Sequence, residues 1–199
     1  YRWERTVSTT ILSFSMEKNH IAMFIIASIV LILIAGGLNF TGMTTKSEKT
    51  RVLLETNYGD ITIELRADMP ITSGNFKALV EKGTYNGVIF HRIIPSFMLQ
   101  GGDPTGTGYG DKSIPNIPDE FKGVQKNNRG TIAMANAGPN TGSSQFFINL
   151  VNNNFLDGKH PVFGDVVEGM DVVDEIAAVK TDNSDRPVKK VVIEKASVI

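Results

Sequence analysis

The order of short strand patterns and helical patterns in residues 51–199 limits the possible folds more than any other feature of the sequence. Apolar and polar residues alternate along 60–66, as in a strand with one buried face. Helical spacing occurs twice, once between Pro70 and Gly83 and once over 170–179. The strand patterns cover 51–57, 60–66, 88–94, 97–100, 131–135, 145–150, 161–167 and 187–198. Because helices do not alternate with strands, the order predicts an all-β fold, a closed eight-stranded antiparallel barrel capped by two α-helices.

The composition excludes several classes of protein and of site. The chain has 199 residues, a formal net charge of −1 and 41% hydrophobic residues, which suits one globular domain with an attached segment. Without a basic excess it has no electrostatic footprint for nucleic acid. It contains no cysteine, so disulfides, zinc–thiolate sites and cysteine nucleophiles are excluded. The three histidines are far apart, and the sequence predicts neither a metal site nor a cofactor.

An uncharged apolar run, 21–38, precedes the strand patterns. As a helix it would span about 27 Å, enough to cross most of the hydrocarbon core of a membrane. The run predicts an N-terminal transmembrane signal-anchor helix, with a cleavable signal peptide as the alternative. Basic residues balance across the run, and the adjacent Lys18 favours a single-pass protein with an extracytoplasmic domain. Residues 1–20 form an extension that need not be native before Met16, and 39–50 form a flexible linker.

One stretch, 90–103, joins two strand patterns across a Pro-Ser turn. Side chains alternate along a strand, so Arg92 shares a face with Phe90 and Ile94. An arginine among apolar neighbours either extends its head group to water or faces an apolar surface that binds a ligand. The glycine-rich run 101–113 lacks the contiguous Gly-Lys-Ser/Thr of a phosphate-binding loop, and we expect an irregular surface loop there.

Three ordered motifs resemble the cyclophilins, the cyclosporin-type peptidyl-prolyl cis-trans isomerases. They are YNGVIFHRIIPSFMLQGGD at 85–103, MANAGPNT at 134–141 with SQFF at 144–147, and FLDGKH at 155–160. The resemblance extends from Val52 to the carboxyl end and does not include the first 50 residues. It implies an eight-stranded barrel with a helix at each end. It also implies an enzyme that accelerates X-Pro bond rotation in protein folding without a cofactor or covalent intermediate. The implied partners are proline-containing peptides and unfolded proteins, and we expect a monomer.

The same resemblance implies a role for each matching residue. Arg92 matches the catalytic arginine, and Gln100 would orient it or contact the rotating carbonyl. The residues that match the proline pocket are Phe97, Met98, Phe147, Leu156 and His160. Those that match the groove for the peptide are Gln100, Ala135, Asn136 and Gln145. Phe155 also belongs to this predicted site, but many family members have tryptophan there, at a position associated with cyclosporin. Binding of that drug is therefore expected to be weakened.

Other interpretations stay open at this point. By pattern alone, the apolar residues of the predicted pocket are more typical of barrel core. A catalytically weak domain that docks proline-containing segments is a second hypothesis for the function. A hydrolase that uses Ser143 or Ser144 with His160 and Asp157 is a third, which the absence of a Gly-x-Ser-x-Gly motif disfavours. We expect Glu120 at a solvated edge.

Overall fold

The computed structural model describes residues 49–199, which contain nine strands and two α-helices. The strands are β1 (Arg51–Thr56), β2 (Gly59–Leu65), β3 (Val88–Ile89), β4 (Arg92–Ile94), β5 (Met98–Gly101), β6 (Thr131–Met134), β7 (Phe146–Asn149), β8 (Val162–Glu168) and β9 (Val192–Val198). The helices are α1 (Pro70–Glu81) and α2 (Met170–Ala177). All strands belong to one antiparallel sheet in the order β3-β9-β1-β2-β8-β6-β7-β5-β4.

The prediction of a closed eight-stranded barrel is wrong, because the strand predicted over 88–94 divides near Phe90 into β3 and β4. Strand β3 pairs with β9 and β4 pairs with β5, so the sheet has two edge strands that do not pair with each other. Backbone groups at the gap bond to the irregular segment before β9 instead. The N–H of Phe90 donates to the carbonyl of Val191 at 2.9 Å, and that of Ile93 to Asp185 at 2.8 Å. The sheet is therefore open, and backbone groups at the gap between its edge strands form hydrogen bonds with a loop.

The predicted transmembrane helix, 21–38, lies outside the described residues, as do 1–20 and most of the predicted linker 39–50. Between residues 49 and 199 neither helix is long and apolar enough to cross a membrane. The described part of the chain is thus an all-β domain with two helices and no membrane span. The described residues therefore do not support the fold predicted with a transmembrane helix or the single-pass, extracytoplasmic location expected from it.

Helix α1 is capped by a side chain that lies far from it in sequence. Pro70 occupies the start of the helix, where its missing N–H leaves no donor unpaired. The carboxylate of Glu120 accepts hydrogen bonds from the N–H groups of Ile71 at 3.0 Å and Thr72 at 3.1 Å. Thr72 itself lies inside the first turn of the helix. Glu120 is only 3% exposed, so the prediction of a solvated edge is wrong. Gly83 follows the helix with φ +71°, the left-handed conformation that often ends helices at a glycine.

Alternation along β5 to β8 divides the apolar side chains into two clusters on opposite faces of the sheet. One face contributes to the main core, where the rings of Phe76, Tyr85, Phe146 and Phe163 have centroids 5.1 to 5.6 Å apart. The neighbouring positions along the same strands form a second, smaller cluster. Its buried members are Met98, Ala133, Phe147 and Val162. The candidate site lies over this second cluster.

Candidate active site

A cavity of about 270 Å³ opens over the second cluster. Its lining contains nine of the residues predicted from the sequence: Arg92, Phe97, Met98, Gln100, Ala135, Asn136, Phe147, Leu156 and His160. The other two predicted residues adjoin it. Gln145 accepts a hydrogen bond from the Gln100 amide at 3.0 Å, and the ring of Phe155 stacks on Phe97 with centroids 5.9 Å apart. The structure therefore brings all the predicted residues together, although they come from three strands and three connecting segments.

Strand pairing sets the floor of the cavity. Arg92 lies opposite Gln100 in the pair β4–β5, Gln100 opposite Phe147 in β5–β7, and Phe147 opposite Ala133 in β6–β7. Directly opposite residues in antiparallel strands have adjacent side chains on the same face. The four residues therefore form one row, polar at the open edge of the sheet and apolar further in. Phe147 is 5% exposed and Met98 is 2% exposed, so the inner floor is buried.

The loop that supplies one wall of the cavity contains a short 3₁₀ turn, Asn154–Leu156, and is held by buried asparagines. Asn153 donates to the carbonyl of Phe97 and to the side chain of Asn149, both at 2.8 Å. Asn149 in turn donates to Asn127 at 3.2 Å. Paired buried amides of this kind fix a loop in one arrangement. This network was not predicted from the sequence, in which the three consecutive asparagines at 152–154 are the available signal.

His160 closes the side of the cavity opposite the sheet edge. Its Nδ1 lies 3.1 Å from the carbonyl oxygen of Met134 and donates to it, since a carbonyl can only accept. The ring meets Phe147 edge-on, with centroids 5.4 Å apart. In this arrangement His160 presents its ring to the cavity as a wall.

The groups required by the hydrolase hypothesis are not assembled. The carboxylate of Asp157 accepts a hydrogen bond from the backbone N–H of Asn127 at 2.8 Å. Burial alone would raise the pKa of Asp157, but hydrogen bonds from Asn127 and Lys126 hold it below its ordinary value. Ser144 is completely buried in the domain. Within residues 49–199, no hydrogen bond joins a serine to His160, so a nucleophile–base pair is missing.

Arg92 lies at the rim of the cavity, at the open edge of the sheet, with its side chain 43% exposed. Its Nε lies 3.4 Å from Oδ2 of Asp185, which belongs to the segment that occupies the gap in the sheet. The amide of Gln100, which was expected to orient Arg92 or to contact the rotating carbonyl, donates to Gln145. Asp185 was not predicted as a site residue. It precedes the predicted strand 187–198, which begins only at Val192, and the turn that contains it was not predicted.

The glycine-rich run 101–113 is a surface loop, as predicted, but it is organised around a buried carboxylate that the sequence analysis did not single out. Asp103 is fully buried and accepts hydrogen bonds from the N–H groups of Thr105 at 2.9 Å and Gly108 at 2.7 Å. Burial would raise the pKa of Asp103, but the hydrogen bonds outweigh it and hold the pKa below its ordinary value. The carbonyl of Gly108 accepts from Gln145 at 3.1 Å, which connects the loop to the site.

A second cavity, of about 550 Å³, adjoins the first and shares Gln100, Ala135 and Asn136 with it. Its walls are the glycine-rich loop and the segment that contains Thr141 and Gln145. Side-chain amides, hydroxyls and backbone groups dominate this lining, in contrast with the apolar floor of the first cavity. The two cavities together form a surface with one apolar end and one polar end.

Comparison with protein families gives one match over almost the whole described region. The model of the cyclophilin type peptidyl-prolyl cis-trans isomerase/CLD family matches residues 51–198. The peptidyl-prolyl cis-trans isomerase-like 1 of Gibberella zeae is 49% identical over 154 residues, which are 75% of this chain and 95% of that protein. The peptidyl-prolyl cis-trans isomerase ppi1 of Schizosaccharomyces pombe is 50% identical over 149 residues, with 73% and 96% covered.

Solved structures agree with the sequence relatives. A cyclophilin type peptidyl-prolyl cis-trans isomerase of Cryptosporidium parvum, crystallised in the presence of the dipeptide Ala-Pro, is similar with a TM-score of 0.72 at 35% identity. The similarity covers 75% of this chain and 98% of that one. Another crystal structure of the same protein gives a TM-score of 0.71 at 34% identity and covers 76% and 97%.

Proposed function

Because this chain belongs to the cyclophilin-type peptidyl-prolyl cis-trans isomerases and is an enzyme of that kind, we propose that it rotates X-Pro bonds at the cavity beside Arg92. The single observation that supports this site best is that a permanently charged donor lies beside a buried apolar floor. A proline ring suits the apolar part, and an amide nitrogen at its edge lies within reach of the rim. No covalent bond is needed for this reaction.

The energetics show why both parts of the site are required. Rotation about an X-Pro bond has a barrier of about 18–20 kcal/mol from amide resonance, and the uncatalysed exchange takes roughly 10–100 s. An acceleration of about 10⁴–10⁵ needs roughly 5.5–7 kcal/mol of selective stabilisation of the twisted amide. One hydrogen bond from a charged donor contributes about 1.5–3 kcal/mol. The remainder must come from holding the ring and from excluding water.

Each side of the cavity has a distinct task in this proposal. Arg92 donates to the prolyl nitrogen as that atom loses conjugation with the carbonyl and its lone pair becomes localised. The proline ring packs on the floor, which contains Met98 and Phe147. It is enclosed by walls formed by Phe97, Leu156 and His160. Being fixed by packing and by the asparagine network, these walls hold the ring while the preceding carbonyl turns.

The polar end of the site holds the peptide that precedes the proline. The side chain of Asn136 already donates to the carbonyl of Lys159 at 2.8 Å, so its backbone is the part offered to an extended peptide beside Ala135. Gln100 and Gln145 bond to each other and present the remaining amide groups to the rotating carbonyl. Gln100 thus acts on the substrate and not on Arg92.

Two further expectations concern cyclosporin binding and the oligomeric state. Phe155 is 64% exposed and has no indole N–H to donate, so cyclosporin binding should be weaker than with tryptophan at this position. We also expect the protein to act as a monomer, because residues of a single chain are sufficient to line the cavity.

Exchange spectroscopy on an Ala-Pro peptide tests the proposal and separates it from a docking domain without catalysis. With the full chain present, we expect cis-trans exchange faster than in buffer, together with shifts of the Ala135 and Phe147 amide signals. Peptide-induced shifts without faster exchange would replace catalysis by docking. Faster exchange with shifts confined to another surface would place the site elsewhere.

A further inference from the structure

The segment that occupies the gap in the sheet also contacts the side chain proposed to do the chemistry. We infer that Asp185 is a positioning residue for Arg92, and this inference rests on the proposed function. Its carboxylate Oδ2 lies 3.4 Å from Nε of Arg92, and its carbonyl accepts the N–H of Ile93 at 2.8 Å. Asp185 thus holds both the guanidinium and the backbone next to it.

The turn that contains Asp185 is rigid because a second aspartate closes it. Oδ1 of Asp182 accepts hydrogen bonds from the N–H groups of Ser184 at 2.8 Å and Arg186 at 3.0 Å. The backbone of Asp182 also bonds to Arg186 at 2.8 Å and to Asp185 at 3.1 Å. Asp185 itself has φ +61°, a left-handed conformation that aspartate tolerates better than most residues. The carboxylate is therefore presented by a fixed backbone.

Further contacts connect this turn to the loop beside the site. The guanidinium of Arg186 donates to the carbonyl of Gly106 at 2.9 Å. The turn is consequently joined to strand β4 on one side and to the glycine-rich loop on the other. A displacement of the turn would move Arg92 relative to the cavity floor.

Arg92 needs such a partner because its side chain has many rotamers and is 43% exposed. Gln100, its neighbour across the strands, is already bonded to Gln145. Within residues 49–199, Asp185 is the acidic group that lies within ion-pair distance of Arg92. Both members of the pair are about half exposed, so the pair contributes little to stability. The effect of the ion pair is instead to increase the fraction of time that the guanidinium spends at the rim of the cavity.

Two substitutions remove the carboxylate without straining the turn, because glycine and asparagine both accept a left-handed φ. Asp185→Gly removes the acceptor, and Asp185→Asn keeps a neutral one in the same place. We expect kcat of the full chain with an Ala-Pro peptide to fall about 1.5- to fivefold in Asp185→Gly, with KM unchanged. The kcat of Asp185→Asn should lie between that of Asp185→Gly and that of the wild type. The Nε–H signal of Arg92 should shift in Asp185→Gly, since its acceptor is gone.

A matched control and a double variant separate positioning from a purely structural role. Asp174 forms an ion pair of similar exposure with Arg129, at 2.7 Å, and Asp174→Asn should leave kcat unchanged. If Asp185 acts through Arg92, adding Asp185→Gly to Arg92→Ala causes no further loss of kcat. Equal kcat in the wild type and Asp185→Gly, with Arg92→Ala impaired, would overturn the inference alone. An inactive wild type would overturn the proposed function, and an unshifted Arg92 Nε–H signal would then overturn the inference as well.

Discussion

Replacing Asp103 by asparagine tests how the glycine-rich loop supports the site. One carboxylate oxygen accepts from the N–H and the hydroxyl of Thr105, and the other accepts from the N–H groups of Gly108 and Gly110. An asparagine has only one oxygen, and whichever side its NH₂ faces, at least one backbone N–H loses its acceptor. The loop then loosens around Gly108, whose carbonyl holds Gln145.

The size of the effect follows from these contacts. A hydrogen bond to a charged group whose partner is lost costs about 1.5–3 kcal/mol. For a domain of this size the Tm falls by about 2–4 °C per kcal/mol, so we expect a decrease of about 3–12 °C in Asp103→Asn. The variant should also have a raised KM for an Ala-Pro peptide, because Gln145 is no longer held at the polar end of the site. Its kcat should change less, since Arg92 and the apolar floor are untouched.

The dependence on pH gives this prediction a second signature. The folded state holds the pKa of Asp103 below its ordinary value, so the unfolded chain binds the proton more readily. The stabilisation is present above the unfolded pKa of about 3.9 and is lost as the pH falls below it. The difference in Tm between wild type and Asp103→Asn should therefore shrink in that range.

Calorimetry and peptide kinetics test the prediction for Asp103→Asn, with a control variant from the same loop. The carboxylate of Asp111 accepts from the N–H of Ser113 at 2.8 Å at the surface, and Asp111→Asn should resemble the wild type. If Asp103→Asn matched Asp111→Asn in both Tm and KM, the carboxylate would not organise the loop and this reasoning would be refuted.

Three further predictions concern the cap, a buried histidine and the exposed aromatic pair. Glu120→Ala should lower the free energy of unfolding by about 1–2 kcal/mol in urea, because the first turn of α1 loses its acceptor; unchanged stability would exclude the cap. Burial holds the pKa of His91 below its ordinary value, so wild-type stability should decline as the pH falls below about 6.5, a slope that His91→Gln should reduce. The same slope in both proteins would contradict this assignment. Phe155→Trp should bind cyclosporin about two- to tenfold more tightly in a titration, since indole adds one donor; equal affinity would argue against a role for this position.

The sequence predicted which residues form the site better than it predicted the contacts that surround them. Alternation along β7 shows that Phe146 and Phe147 face opposite ways, but not which of them enters the main core. The structure places Phe146 in the core and Phe147 in the second cluster beneath the cavity, where it is equally buried. An interpretation as plain core was therefore reasonable from the pattern, because the floor of this site is itself closely packed. Only the family resemblance distinguished the two faces in advance.

The features that the sequence did not predict depend on contacts between distant residues. The polarity pattern is continuous over 88–94, yet the sheet opens there because Asp185 and Val191 supply the backbone partners. Arg92 and Asp185 are 93 positions apart, and Glu120 caps a helix about 48 positions before it. No local spacing rule connects such pairs, so an aspartate in a turn and a glutamate shortly after a proline look like ordinary surface residues.

The exchange rate of an Ala-Pro peptide in the presence of Arg92→Ala tests the central claim most directly. Arg129 is a suitable control, because it is 44% exposed and paired with Asp174, much as Arg92 is with Asp185. The account predicts that the wild type and Arg129→Ala accelerate exchange alike, whereas Arg92→Ala loses about 10- to 150-fold, the equivalent of about 1.5–3 kcal/mol. Full acceleration by Arg92→Ala would show that the donor at the rim of this cavity does not drive the rotation.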